Sequence, residues 1–208
     1  MVMLHAIWKD RRAATAAEFG LVVPVLMLLI FSVIDAGRFV WDYNRAEKAT
    51  QVGARMAVVT DVIDGGLIAP GYVGNTYGGV TLTQGDRIPA SALGTVTCTS
   101  AAACTCSGTC PTGVPGTKNA AAFNRIVTRM RYMMPGITAS KVTIEYRGSG
   151  LGFAGDPDTT RPQISPLVTV KLTGMTFKPI TFFTLKSVTM PSFSTTLSAE
   201  DLSGSQSN

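Results

Sequence analysis

From Phe19 to Ile34 no residue of this chain carries a charge, and the run has no polar face. A surface helix shows an apolar stripe, whereas a segment apolar all round is buried in a large core or in lipid. Ala13 to Ala17 extend the run towards the N-terminus, with Glu18 enclosed. The predicted span covers 14–34, matching the about 20 residues that a bilayer crossing needs at about 1.5 Å per residue. A cleaved secretory signal also has a basic start and an apolar core, but here the core is long and no small-x-small pair follows it. A buried core helix would show amphipathicity, which is absent from Leu21 to Ile30.

The helical pattern continues past the span. Asp35 to Val59 contains no Pro, and its glycines are Gly37 and Gly53. Asp42, Arg45 and Lys48 are expected on one wet face. Ala49, Gly53 and Ala57 form a stripe of small residues at strict i, i+4 spacing, which lets a second backbone approach closely. The alternative is that this stripe packs on the protein's own sheet. One continuous helix from Ala14 to Val59 would be about 69 Å long. Asp64-Gly-Gly is expected to end it, because Gly accepts the left-handed conformation at a helix C-terminus.

Beyond Asp64 the periodicity shortens. Gly71, Gly74, Gly78, Gly79 and Gly85 lie among Asn, Thr and Tyr and predict an irregular surface loop. Phe123, Ile126, Val127, Met130 and Met134 recur at helical spacing within Lys118–Met134, which Pro135-Gly136 closes. Its methionines read as gap-filling core rather than a copper site. Lys141–Tyr146 and Leu167–Leu172 alternate as strands do, and Val188–Leu197 is a third candidate broken by Pro191. The expected fold class is α+β: a long N-terminal transmembrane helix extends into a helix packed on a small antiparallel sheet. The domain plan is 1–13 tail or leader, 14–34 span, 35–63 helix continuation, 64–200 α+β domain and 201–208 frayed tail.

Composition sharpens this reading. Charged residues make up 15% of the chain, against about a quarter in an average soluble domain. The net charge is +5, but the eighteen Lys and Arg are spread along the chain, so nucleic acid is not expected as a partner. The four cysteines, Cys98, Cys104, Cys106 and Cys110, cluster in a Thr/Ser/Ala loop at 98–110. An even count outside the cytoplasm argues for two disulfides. Zinc is the rival, although C-x5-C-x-C-x3-C lacks paired C-x2-C knuckles and no His follows. The connectivity containing Cys104–Cys106 is strained; the other two stay open. Basic residues flank the span on both sides. The short N-terminal tail and the C-terminal cysteines place the N-terminus in the cytoplasm and the bulk outside.

Catalysis is not expected. The one histidine, His5, lies in the N-terminal tail, which removes Ser-His-Asp and Cys-His arrangements from the body. Asp156 and Asp158 read as a solvated loop or a weak calcium pair. No cofactor or metal is predicted. Glu18 and Pro24 are the unusual residues of the span. A carboxylate in lipid costs at least a few kcal/mol and normally has a partner or a job, unless Glu18 merely marks the interface beside Arg11 and Arg12. Pro24 removes a backbone donor, so a kink or a melted turn is expected.

The stretch Ala17-Glu-Phe-Gly-Leu-Val-Val-Pro-Val-Leu, then Ile34-Asp-Ala-Gly-Arg38 and Ala49-Thr-Gln-Val-Gly-Ala-Arg-Met-Ala57, resembles TadE-like proteins of bacterial tight-adherence (Tad/Flp) pilus systems. The resemblance implies a minor pilin or pseudopilin-like role in pilus assembly and surface attachment at the bacterial inner membrane, with other pilins and assembly proteins as partners. It also implies cleavage by a prepilin peptidase between Ala13 and Ala14, which would leave Glu18 fifth, followed by Phe19. Glu18 would then pair with the new N-terminal amine of a neighbouring subunit. The family pattern has Gly before the cut where this chain has Ala13. The related TadG-like proteins share the helix but are not cut, so a permanently anchored adhesin or binding module is the alternative.

Overall fold

The computed structural model describes residues 11–68, 70–158, 160–180, 187–199 and 202–204, without the side chains of 11–14. His5 and the other residues of 1–10 lie outside the described residues, as does most of the predicted C-terminal tail. The chain divides into two compact units. One holds the N-terminal segment up to Asp42 with Thr176–Val188; the other holds Tyr43–Met175 and the segment from Thr189 onward.

Helix α1 runs unbroken over Arg11–Val59 and includes Pro24. The melted turn expected at Pro24 is therefore not formed. Its missing N–H costs one bond to the Gly20 carbonyl, while the flanking Val and Leu residues keep their own ladder. The helix also stops five residues short of Asp64-Gly-Gly, so the predicted terminator is not the terminator. The near-absence of Gly and Pro lets α1 persist, and Thr60 Oγ1 back-bonds to the Met56 carbonyl at 2.7 Å as it ends.

In the second unit, β3 (Thr95–Cys98), β4 (Thr105–Ser107), β5 (Val142–Arg147), β6 (Leu167–Leu172) and β9 (Phe193–Ser198) make a five-stranded antiparallel sheet. Its order is β4-β3-β5-β6-β9. Two short pairs complete the strands: β1 (Thr76–Tyr77) with β2 (Val80–Thr81), and β7 (Thr176–Phe177) with β8 (Val188–Thr189). Period-two alternation sends Val96, Ile144, Tyr146, Val168, Val170, Leu172 and Phe193 to one buried face. Two helical segments cover that face, the C-terminal part of α1 and α2 (Ala120–Met133). Ala46, Ala49, Ala54 and Ala57 of α1 are buried, as are Phe123, Ile126, Val127 and Met130 of α2. Thr50 Oγ1 meets Thr195 Oγ1 at 3.0 Å, and the Tyr43 and Phe193 rings meet edge-on at 4.9 Å. The fold is α+β, a helix on an antiparallel sheet, as the periodicity predicts.

Several local expectations are corrected. The glycine-rich stretch 71–85 is not simply irregular: β1 and β2 form a hairpin in it, and Tyr72 is fully buried. Burial raises the Tyr72 hydroxyl above its ordinary value. The cysteine loop starts at the last residue of β3 and contains β4. The break expected at Pro191 is present and divides Val188–Leu197 between β8 and β9, because proline has no donor for a ladder. Arg45 does not belong to a wholly wet face, since its Nε donates to the Met133 carbonyl at 2.9 Å and satisfies the end of α2. Within the predicted tail Leu202 is buried, and Gly204 accepts the Asp61 N–H at 2.9 Å and donates its own N–H to the Asp61 carboxylate at 2.7 Å.

Asp64, fully buried, caps a 3₁₀ turn instead of ending α1. Its Oδ1 accepts the Gly66 N–H at 2.8 Å and the Gly116 N–H at 2.6 Å, tying the loop after α1 to the approach to α2. Gly65 N–H to the Thr117 carbonyl and Asn119 N–H to the Ile63 carbonyl reinforce the junction. Glycine is required here, because a Cβ on Gly66 would lie 2.2 Å from the Gly113 carbonyl oxygen and one on Gly116 would lie 2.4 Å from the Gly66 nitrogen. Tyr146 seals the site by accepting the Ile63 N–H at 3.2 Å; burial raises its hydroxyl, and the nearby Asp64 charge raises it further. Asp64→Ala leaves two N–H groups without an acceptor and should destabilise the domain by about 2–4 kcal/mol. Asp64→Asn, which keeps an acceptor at Oδ1, should lose less. Thermal unfolding of the full chain in detergent micelles reads both, and equal loss in the two variants would contradict this role.

Candidate functional site

The N-terminal part of α1 presents its side chains outward. Its most apolar window has a mean hydropathy of 2.4, and none of that window is buried. Phe19 is 71% exposed and Leu29 60%. The predicted span 14–34, at about 1.5 Å per residue, is about 31 Å long, the thickness of a hydrocarbon core. Monomeric soluble proteins rarely leave so large a continuous apolar surface to water. The helical ladder runs along such a cylinder with Pro24 as its internal proline, and internal pairing of backbone groups is the condition for crossing lipid. Ser32 obeys the same condition with its hydroxyl on the Leu28 carbonyl at 2.7 Å.

Glu18 and Phe19 are exposed and open this run, and Pro24 is exposed within it. Ala13 and Ala14 are helical in backbone, while their side chains lie outside the described residues. The predicted processing residues thus lie in consecutive turns of one helix. The stripe Ala49, Gly53 and Ala57 is separate from them. It is buried in the second unit, where a Cβ on Gly53 would come within 2.8 Å of Met130 Cγ and 3.3 Å of Val170 Cγ1. Close backbone approach is used here, by the chain's own α2 and β6.

The cysteines pair as Cys98–Cys104 and Cys106–Cys110. All four thiols are consumed, so zinc has no thiolates to bind. Lys118 reinforces the loop by donating to the Thr99 carbonyl at 2.7 Å and to the Ala101 carbonyl, with its ammonium 4.7 Å from the Phe123 ring centroid. Burial lowers its pKa. Nothing in the sequence around Lys118 announced that clamp, because its partners are carbonyls.

Asp158 is engaged by protein donors. It receives the Thr160 N–H and hydroxyl and the Arg161 Nε at 2.8 Å, and the Thr160 and Arg161 bonds depress its carboxyl to about 2. Asp156 accepts the Asp158 N–H. Asp156 and Arg161 also line a cleft of about 150 Å³ with Pro162, Ile164, Ser165, Ala199 and Leu202. An arginine already on the carboxylate favours a structural loop over a calcium pair. Among the described residues no group of three or more His, Cys, Asp or Glu is placed to hold a metal.

Sequence reasoning missed a further constellation in the first unit. Asp35, 7% exposed, accepts the Ile180 N–H at 2.7 Å and Arg38 Nη1 at 3.0 Å. Phe39 meets Phe177 edge-on at 5.5 Å, and the Arg38 guanidinium sits 5.3 Å from the Phe177 centroid. These contacts join positions far apart in the chain, and only the charge of Asp35 just past Ile34 marks the place in the sequence.

The N-terminal part of α1 turns apolar side chains outward, where the chain would meet lipid or other subunits. No curated protein and no solved structure matches the chain. A family model does match it: the TadE-like protein family, over residues 13–55. That match takes in Glu18, Phe19, Pro24, Asp35 and Gly53, and over those residues the N-terminal helix of this chain is similar to that of TadE-like proteins.

Proposed function

We propose that this protein is a non-enzymatic minor pilin or pseudopilin-like component of a Tad-type pilus assembly and surface-attachment system. It is held in the bacterial inner membrane by residues 14–34, with its N-terminus cytoplasmic and its disulfide-bonded body periplasmic. The observation that carries this reading is the exposed apolar helix, opened by Glu18-Phe19 and lying inside the TadE-like match. The two disulfides support an oxidising compartment for the body. Its partners are other pilins or pilus assembly proteins and, for the processed form, a prepilin peptidase. Glu18 neutralises a neighbouring subunit's N-terminal amine when the helix slides from lipid into an assembly.

Ala13 in place of the Gly of the family pattern favours a second form of the same reading, a TadG-like anchor that keeps its leader and acts as an adhesin or binding module. Mass spectrometry of the protein extracted from membranes of piliated cells separates the two. A chain beginning at Ala14 marks the processed pilin, and one beginning at Met1 marks the permanent anchor. For the processed form, Glu18→Ala leaves an amine unpaired in lipid at a cost of at least about 2.5 kcal/mol, so surface pili should fall by about tenfold or more. Undiminished piliation with Glu18→Ala at wild-type membrane levels would contradict the role given to Glu18.

A further inference from the structure

Asp35 is the first charged residue after the apolar run, one position past Ile34. A helix rises about 1.5 Å per residue, so Phe39 stands only about 6 Å beyond it. The return segment 176–180 is fixed at that level, by the Ile180 N–H on Asp35 and by Phe177 on Phe39 and Arg38. If α1 spans the bilayer, this level is where the hydrocarbon gives way to headgroups.

The segment nevertheless turns apolar side chains outward. Ile180 is 39% exposed and Val188 47%, and Val40 and Trp41 of α1 are exposed at the same level. Lys178 is exposed two residues before Ile180. Aliphatic and aromatic side chains beside lysine are the composition of the membrane–water interface, where rings and chains enter the acyl boundary and ammonium groups reach anionic lipid. The pairing of Asp35 with Arg38 and a backbone N–H fits the same place, because a carboxylate at the edge of hydrocarbon needs donors.

We propose that residues 176–180 and Val188 make a second membrane contact, an interfacial strap whose Ile180 and Val188 enter the boundary of the leaflet that α1 leaves, with Lys178 on anionic headgroups. The occupant of this surface is lipid, since the covalent continuity of Asp35 with the apolar run sets its depth. The strap fixes how far α1 can slide along the membrane normal, and the Asp35–Ile180 bond is its fastening. The inference rests on α1 being a span.

The test uses the full chain reconstituted in vesicles of phosphatidylcholine and phosphatidylglycerol. The native thiols are paired, so one added cysteine carries an environment-sensitive fluorophore, in Leu29→Cys, Ile180→Cys, Val188→Cys or, in the β1–β2 hairpin, Val80→Cys. Lipids bearing a nitroxide near the headgroup supply the quencher. Loss of fluorescence at Leu29, Ile180 and Val188 but not at Val80 is the expected result. Adding Asp35→Ala to the Ile180→Cys chain should restore its fluorescence while the Leu29 label stays quenched. Ile180 and Val188 labels as unquenched as Val80, with Leu29 quenched, would overturn the strap and leave the span standing. Equal quenching at Val80 would overturn it as nonspecific, and an unquenched Leu29 would remove the span and the strap together.

Discussion

An apolar surface that the described residues leave uncovered dominates this molecule. At about 25 cal/mol per Å², the exposed side chains from Phe19 to Ile34 represent a driving force that the folded body does not collect. Water is the costly neighbour for such a cylinder, and lipid or another apolar helix is the favourable one. The backbone obeys the same demand, since α1 bonds its own polar groups through the run and accepts a proline without opening.

The same helix changes solvent along its length. Up to Ile34 its large apolar side chains point outward; from Ala46 its small ones point inward, onto the sheet face built by β3, β5, β6 and β9. Small residues suit this half because the neighbours are close, as the room left at Gly53 shows. Large apolar residues suit the other half because acyl chains fill any shape. Asp64, two glycines and Tyr146 then lock the end of the helix to the start of α2. The cysteine pairs secure a Thr/Ser/Ala stretch with little apolar mass of its own.

How much of this was legible in the sequence follows from whether the cause was local. α1, α2, β5 and β6 announce themselves because periodicity is a local record of which face is buried. β3 and β4 do not: Thr, Ala and Cys between glycines look like loop, and the pairing that makes them strands comes from β5, distant in the chain. Asp64-Gly-Gly resembles a helix stop, whereas its carboxylate serves the adjoining Gly66 amide and one more than fifty positions away. The span and its opening Glu18-Phe19 were visible as composition and motif. The Asp35 fastening was not, since its partner Ile180 is 145 positions on.

Placement of the outward apolar helix in lipid, with the cysteine-bearing body on the oxidising side, is tested most directly by one fractionation. Cells producing the full chain are lysed, membranes are washed with alkaline carbonate, and every fraction is denatured and treated with a polymer-linked maleimide, with and without reductant. Protein confined to the washed membrane, unshifted until reduction and then shifted by four polymer units, is the predicted result. A soluble product already shifted by four units before reduction would contradict it.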